Sequence, residues 1–111
     1  MELTNFEKDG VSVLEPKGKI MGGPDATILH ERLHDLIEQG KKKVIIDLAE
    51  VEWMNSTGLG ILISGVTTLR NSEGELKLAN VSEKILSLFE ITKLAKVFET
   101  YDSVDSAIDS F

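Results

Sequence analysis

The sequence predicts a single α/β domain: a mixed β-sheet with an opening antiparallel hairpin and about four α-helices. Three observations carry this. "KVIIDL" (residues 43–48) is a β-branched run without polar alternation, the pattern of a strand buried on both faces. Asp9-Gly10 separates two strand-like segments and suits a two-residue hairpin turn, where positive φ is needed. From residue 24 onward, helical and strand-like segments alternate, which implies parallel pairing through right-handed crossovers. A chain of 111 residues supports one modest core, so the domain is expected to span residues 1–111.

The elements follow in order. "LTNFEK" and "VSVLEP" form the hairpin strands, and "KGKIMGGPDA" reads as a glycine-punctuated loop. Pro24 suits the first turn of a helix, where its missing N–H costs little. Ala26, Leu29, Leu33, Leu36 and Ile37 then recur at helical spacing until Gly40 stops the helix. "KVIIDL" follows as a strand, and "AEVEWM" is left without an element. Leu59, Leu62, Ile63, Val66 and Leu69 trace a second helix. "EGELKLANV" gives a turn and a strand in which Leu76 and Leu78 alternate with charge. Ser82 caps a third helix carrying Ile85, Leu88 and Phe89. "KVFETY" reads as a last short strand. Asp102 is expected to cap a final helix bearing Val104, Ala107, Ile108 and Phe111, with Asp105 supporting its dipole.

Composition narrows the function. There is no cysteine, which excludes disulfides, thiolate metal sites and a cysteine nucleophile, and fits a reducing compartment. The opening "MELTNFEKDG" lacks the basic and apolar regions of a secretory signal, and no apolar run exceeds three residues, as at Val44–Ile46. A cytoplasmic protein without membrane insertion is expected. A net charge of −7 argues against direct binding of nucleic acid or anionic membranes. Lys41–Lys43 read as charges near a helix C-terminus. His30 and His34 share a helix face in "HERLH", but no third ligand has a defined spacing and Leu29 and Leu33 hold the buried stripe beside them. They read as solvent-exposed histidines, with no metal and no cofactor implied. "GKIMGG" lacks the ending of a phosphate-binding loop, and Met54 stands where a serine-hydrolase elbow needs glycine. A non-enzymatic protein is expected, since a small enzyme or nucleotide-binding domain would rest on fold analogy alone.

"WMNSTGLGIL" (residues 53–62) stands out at a strand–helix junction, with Asn55, Ser56 and Thr57 adjacent. Asn55 or Ser56 can cap the helix, a contribution of about 1 kcal/mol. Gly58 and Gly60 each disfavour a helix by about 1 kcal/mol relative to alanine, so close approach to the backbone is expected there. A phosphate on Ser56 would be well received by the free N–H groups of its own helix. To a partner it would add about −1.5 to −2 charges.

"VIIDLAEVEWMNSTGLGIL" resembles the signature of the STAS family, most closely the anti-sigma factor antagonists. The resemblance implies a STAS domain and assigns Ser56 as a phosphorylation site. It implies two partners: an ATP-using anti-sigma serine kinase, bound by the unphosphorylated form so that sigma factor is freed, and a phosphatase that resets the cycle. Met21, Gly22, Asp25, Asn55, Ser56, Thr57, Gly58 and Leu59 are the expected partner-binding residues, with Gly58 and Gly60 clearing space. Two positions depart from the pattern: the family usually has aspartate where this chain has Asn55, and again where "GKIM" ends in Met21. Asp25 is the nearby carboxylate that could stand in. The alternative is a STAS scaffold subunit of a transporter or stress-signalling complex, not switched at Ser56.

Overall fold

The computed structural model describes residues 1–92 and 97–111. Among the described residues ten elements follow one another: β1 (Glu2–Lys8), β2 (Val11–Ile20), α1 (Pro24–Glu38), β3 (Lys43–Asp47), β4 (Val51–Met54), α2 (Ser56–Asn71), β5 (Glu75–Ala79), α3 (Glu83–Ile91), β6 (Thr100–Tyr101) and α4 (Val104–Asp109). The sheet runs β1-β2-β3-β5-β6, with β4 paired to the far end of β2. Among the described residues only β1 and β2 pair antiparallel; the other pairings are parallel. Asp9 and Gly10 both adopt positive φ (53° and 78°), as the two-residue turn requires.

Both faces of the sheet are covered, which is why "KVIIDL" shows no alternation. On one face, Leu14, Val44, Ile46, Leu76 and Leu78 pack with Leu29, Leu33 and Leu36 of α1, Leu62 and Val66 of α2, and Ile85 and Phe89 of α3. On the other, Val11, Val13, Ile45 and Ala79 meet Ala107 and Ile108 of α4. Lys8 Nζ ties the hairpin to α4 through Asp105 Oδ1 at 2.7 Å, and that carboxylate holds the lysine above its ordinary pKa.

Four expectations need correction. The second strand does not end at Pro16 but runs to Ile20. Its ladder partner changes from β3, over Ser12–Leu14, to β4, over Gly18–Ile20. Pro16 lies between these stretches, and opposite Leu3 it occupies a non-bonded position of the hairpin ladder, so its missing N–H breaks nothing. "AEVEWM" contains β4, whose Val51 and Met54 point inward while Glu52 and Trp53 are exposed. That pattern has no period of two because the register with β2 shifts between Gly18 and Lys19. The last strand is only Thr100–Tyr101, and Lys96 of "KVFETY" falls outside the described residues. Finally, Ser103 rather than Asp102 caps α4, in a reciprocal capping box with Ser106.

Alternation in β5 also conceals a buried charge. Lys77 is only 6% exposed. Its ammonium donates to Ser110 O at 3.0 Å and Ser110 Oγ at 2.7 Å, and lies 3.2 Å from Glu99 Oε2. The rings of Phe111 and Tyr101 lie 4.4 and 5.5 Å from it. Lys41, expected near a helix end, lies beyond α1 and pairs with Glu7 at 2.6 Å, while Lys43 opens β3.

Candidate functional site

The site forms where β2 and β4 end side by side, because Ile20 is the register partner of Met54. The next residue on each strand, Met21 and Asn55, therefore emerges at the same level. Asn55 is the N-cap of α2, with extended backbone and its Oδ1 accepting from Gly58 N at 2.8 Å. Its Nδ2 donates to Met21 O at 3.4 Å. On the other side of the same residue, Met21 N donates to Asp25 Oδ2 at 3.0 Å. The loop between β2 and α1 is thus held to the start of α2 through one residue, Met21.

Gly22 completes that contact. Its φ of +108° disfavours any side chain, and a Cβ there would sit 2.6 Å from Thr57 Cγ2. Ser56 and Thr57 are the first residues of α2 and are exposed. Among the described residues neither hydroxyl has a hydrogen-bond partner. Helix geometry leaves their backbone N–H groups free as well, and the first turn holds no acidic residue. An added anion here would meet free donors and the positive end of the helix, with no carboxylate in that turn to oppose it.

Of the eight residues expected to form the partner site, Met21, Gly22, Asn55, Ser56 and Thr57 come together at one end of the sheet. The other three are spoken for inside the chain. Leu59 is 1% exposed and belongs to the core. Gly58 is buried because α2 lies directly on β2, where a Cβ would fall 2.0 Å from Ile20 O. Its glycine is an internal packing requirement, whereas Gly60 faces open space. Asp25 is buried, with one oxygen on Met21 N and the other 3.4 Å from the Met1 ammonium. It is a positioning residue for the loop, not a free carboxylate standing in for the two positions that lack one. His30 and His34 stack at 6.5 Å on α1.

Sequence reasoning missed Trp53 at this end of the sheet. It is 38% exposed, with Lys84 Nζ 4.7 Å from its ring centroid. The available signal was a tryptophan three residues before the serine in a segment given no element.

The doubled role of Asn55 makes a direct prediction. Asn55→Ala removes the cap and the loop contact and should cost about 1–2 kcal/mol. Asn55→Asp should restore the cap but not the donor, so Met21 O would face a carboxylate. Denaturant unfolding should then be close to wild type, while the Met21–Gly23 amides exchange faster in hydrogen-exchange measurements. Unchanged exchange in both variants would rule out the tether.

Fold and site together define a class: a small α/β domain with a mixed sheet that presents an unencumbered serine at a helix N-terminus. A profile of the STAS domain matches residues 4–107. Over 74 residues the chain is 39% identical to the anti-sigma-B factor antagonist of Bacillus subtilis, covering 67% of each protein. The crystal structure of an anti-sigma factor antagonist from Mycobacterium paratuberculosis superposes with a TM-score of 0.82 at 26% identity, covering 98% of this chain and 92% of that one. The phosphorylated form of the Bacillus cell fate determinant SpoIIAA has the same fold, with a TM-score of 0.72 at 18% identity and 98% coverage of each chain. The chain belongs to the STAS domain family, and its named relatives are anti-sigma factor antagonists.

Proposed function

We propose that this chain is a cytoplasmic, non-enzymatic anti-sigma factor antagonist switched by phosphorylation of Ser56. The observation that carries the reading is Ser56 itself: exposed, unbonded, at the first position of α2, with free backbone donors beside it. Unphosphorylated, the surface of Met21, Gly22, Asn55, Ser56, Thr57 and Gly60 binds an ATP-using anti-sigma serine kinase, and sigma factor is released. The kinase then transfers the γ-phosphoryl group of ATP to Ser56 Oγ. ADP leaves, and the hydroxyl proton passes to a base of the kinase. The new phosphate adds about −1.5 to −2 charges to a contact surface and ends binding by repulsion and desolvation. A phosphatase hydrolyses the ester and restores the first state.

The relatives' names support the partner class, and the first turn of α2, which holds no acidic residue, supports a stable phosphate. Incubation with a purified serine kinase of the same genome and labelled ATP should add one phosphate to the wild-type chain and none to Ser56→Ala. Label persisting in that variant would remove Ser56 as the acceptor. No label in either, with every such kinase tried, would favour the unswitched scaffold.

A further inference from the structure

We propose that Trp53, flanked by Lys84 and Lys19, is the anchor by which the kinase acting on Ser56 docks, seated in an apolar slot edged by carboxylates. This rests on the reading of Ser56 above and names the contact through which that partner holds the chain.

The backbone aims this side chain outward. Gly18 pairs with Val51 and Lys19 with Trp53, so Glu52 is an extra residue opposite β2. Strict alternation after the inward Val51 would turn residue 53 inward and residue 54 outward. The extra residue reverses this: Val51 and Met54 are 7% and 1% exposed, and Trp53 is 38% exposed. Bulges of this kind re-aim side chains beside functional sites. Here the side chain displaced into solvent is the only tryptophan of the chain.

The charges around the ring point to the partner's chemistry. Lys84 lies over it, and Lys19 is its register neighbour on β2 and is exposed. Among the described residues neither ammonium has a carboxylate within 4.0 Å, although Glu52 and Glu83 are adjacent in sequence. In a chain of net charge −7, two lysines that among the described residues lack a close carboxylate stand beside an exposed indole. A complementary surface offers apolar walls to the ring and carboxylates to the lysines.

Geometry makes the kinase the occupant. Three residues of extended chain span at most about 11 Å, so Trp53 and Ser56 are no farther apart than that along the backbone. A stable complex covers about 800 Å² on each partner, a disc of roughly 16 Å radius. Such a footprint centred on Ser56 therefore reaches the end of β4 that carries Trp53. Met21, 42% exposed, brings a second apolar side chain to the same end of the sheet. Tryptophan and methionine are residues that interface centres favour.

Trp53 fluorescence reports the contact directly. Purified serine kinases of the same genome are titrated one at a time against the wild-type chain, with ADP in place of ATP so that Ser56 stays unmodified. The expected result is a blue shift of Trp53 emission on binding. Trp53→Ala should weaken binding at least tenfold with an unchanged melting temperature, Trp53→Phe less so, and Lys84→Glu should also weaken it. Binding by Trp53→Ala within twofold of wild type, with Ser56→Glu still abolishing it, would overturn the anchor and leave the function standing. A wild-type chain that neither binds nor accepts phosphate from any of these kinases would overturn both. A blue shift that grows with the concentration of the chain alone would assign the patch to a second copy and overturn the proposal.

Discussion

Gly58→Ala is expected to lower the unfolding free energy by about 3 kcal/mol or more, and the melting temperature by more than about 10 °C. The added Cβ would lie 2.0 Å from Ile20 O and 2.9 Å from the same carbonyl carbon. The obstacle is backbone, not the free end of a side chain, so no rotamer change relieves it. Either α2 lifts from β2 or the end of β2 bends, and both loosen Leu59 and Leu62, which are buried in the core. Gly60→Ala supplies the control on the same helix. Nothing lies within 4 Å of its Cβ position, so alanine there should stabilise by about 0.5–1 kcal/mol through helix propensity and reduced freedom of the unfolded chain. Urea denaturation of both variants measures the contrast. A Gly58→Ala protein within 1 kcal/mol of wild type would refute the close contact of α2 with β2.

Lys77→Glu is expected to cost about 3–5 kcal/mol and to release α4 from the sheet. A carboxylate at this position would face Ser110 O and Glu99, and would set negative charge against the rings of Phe111 and Tyr101. Of the groups hydrogen-bonded or ion-paired to the ammonium, only the Ser110 hydroxyl could donate to it. Lys77→Met should cost only about 1 kcal/mol, because its stem keeps the packing and Glu99 and Ser110 are exposed enough to turn to water. Hydrogen exchange locates the damage: the α4 amides should lose protection in Lys77→Glu, while those of β3 and α2 retain theirs. Equal stability of the two variants would show that the site does not discriminate a carboxylate from an apolar side chain.

Much of this fold was legible because one-sided or two-sided burial writes itself into residue order. The stripe Leu29, Leu33, Leu36 marked α1, and the unbroken Val44–Ile46 marked a strand covered twice. The missed features depend on partners distant in sequence. β4 exists because β2 continues past Pro16 to meet it, and four residues containing a bulge carry no periodic signal. Lys77 looked like the solvent side of a strand until the chain just past α4 supplied Ser110 and Phe111 around it. Local spacing cannot report such pairings.

The candidate site divides the same way. Asn55 as cap and Ser56 at the head of a helix follow from local chemistry. That Gly58 answers to Ile20, or that Asp25 is consumed by Met21, required the two strand ends to be brought level. The two glycines looked alike in sequence and differ completely in what surrounds them.

The contact between Gly58 and Ile20 has a bearing on how Ser56 could carry a message. With helix and strand in backbone contact, and the adjoining loop tethered at Met21, the serine stands on a platform with no slack beneath it. A phosphate placed there would have little freedom to propagate a rearrangement into the fold. The two states would then differ in charge and outline and hardly in shape, and a partner would tell them apart as a reader tells a stamped page from a blank one.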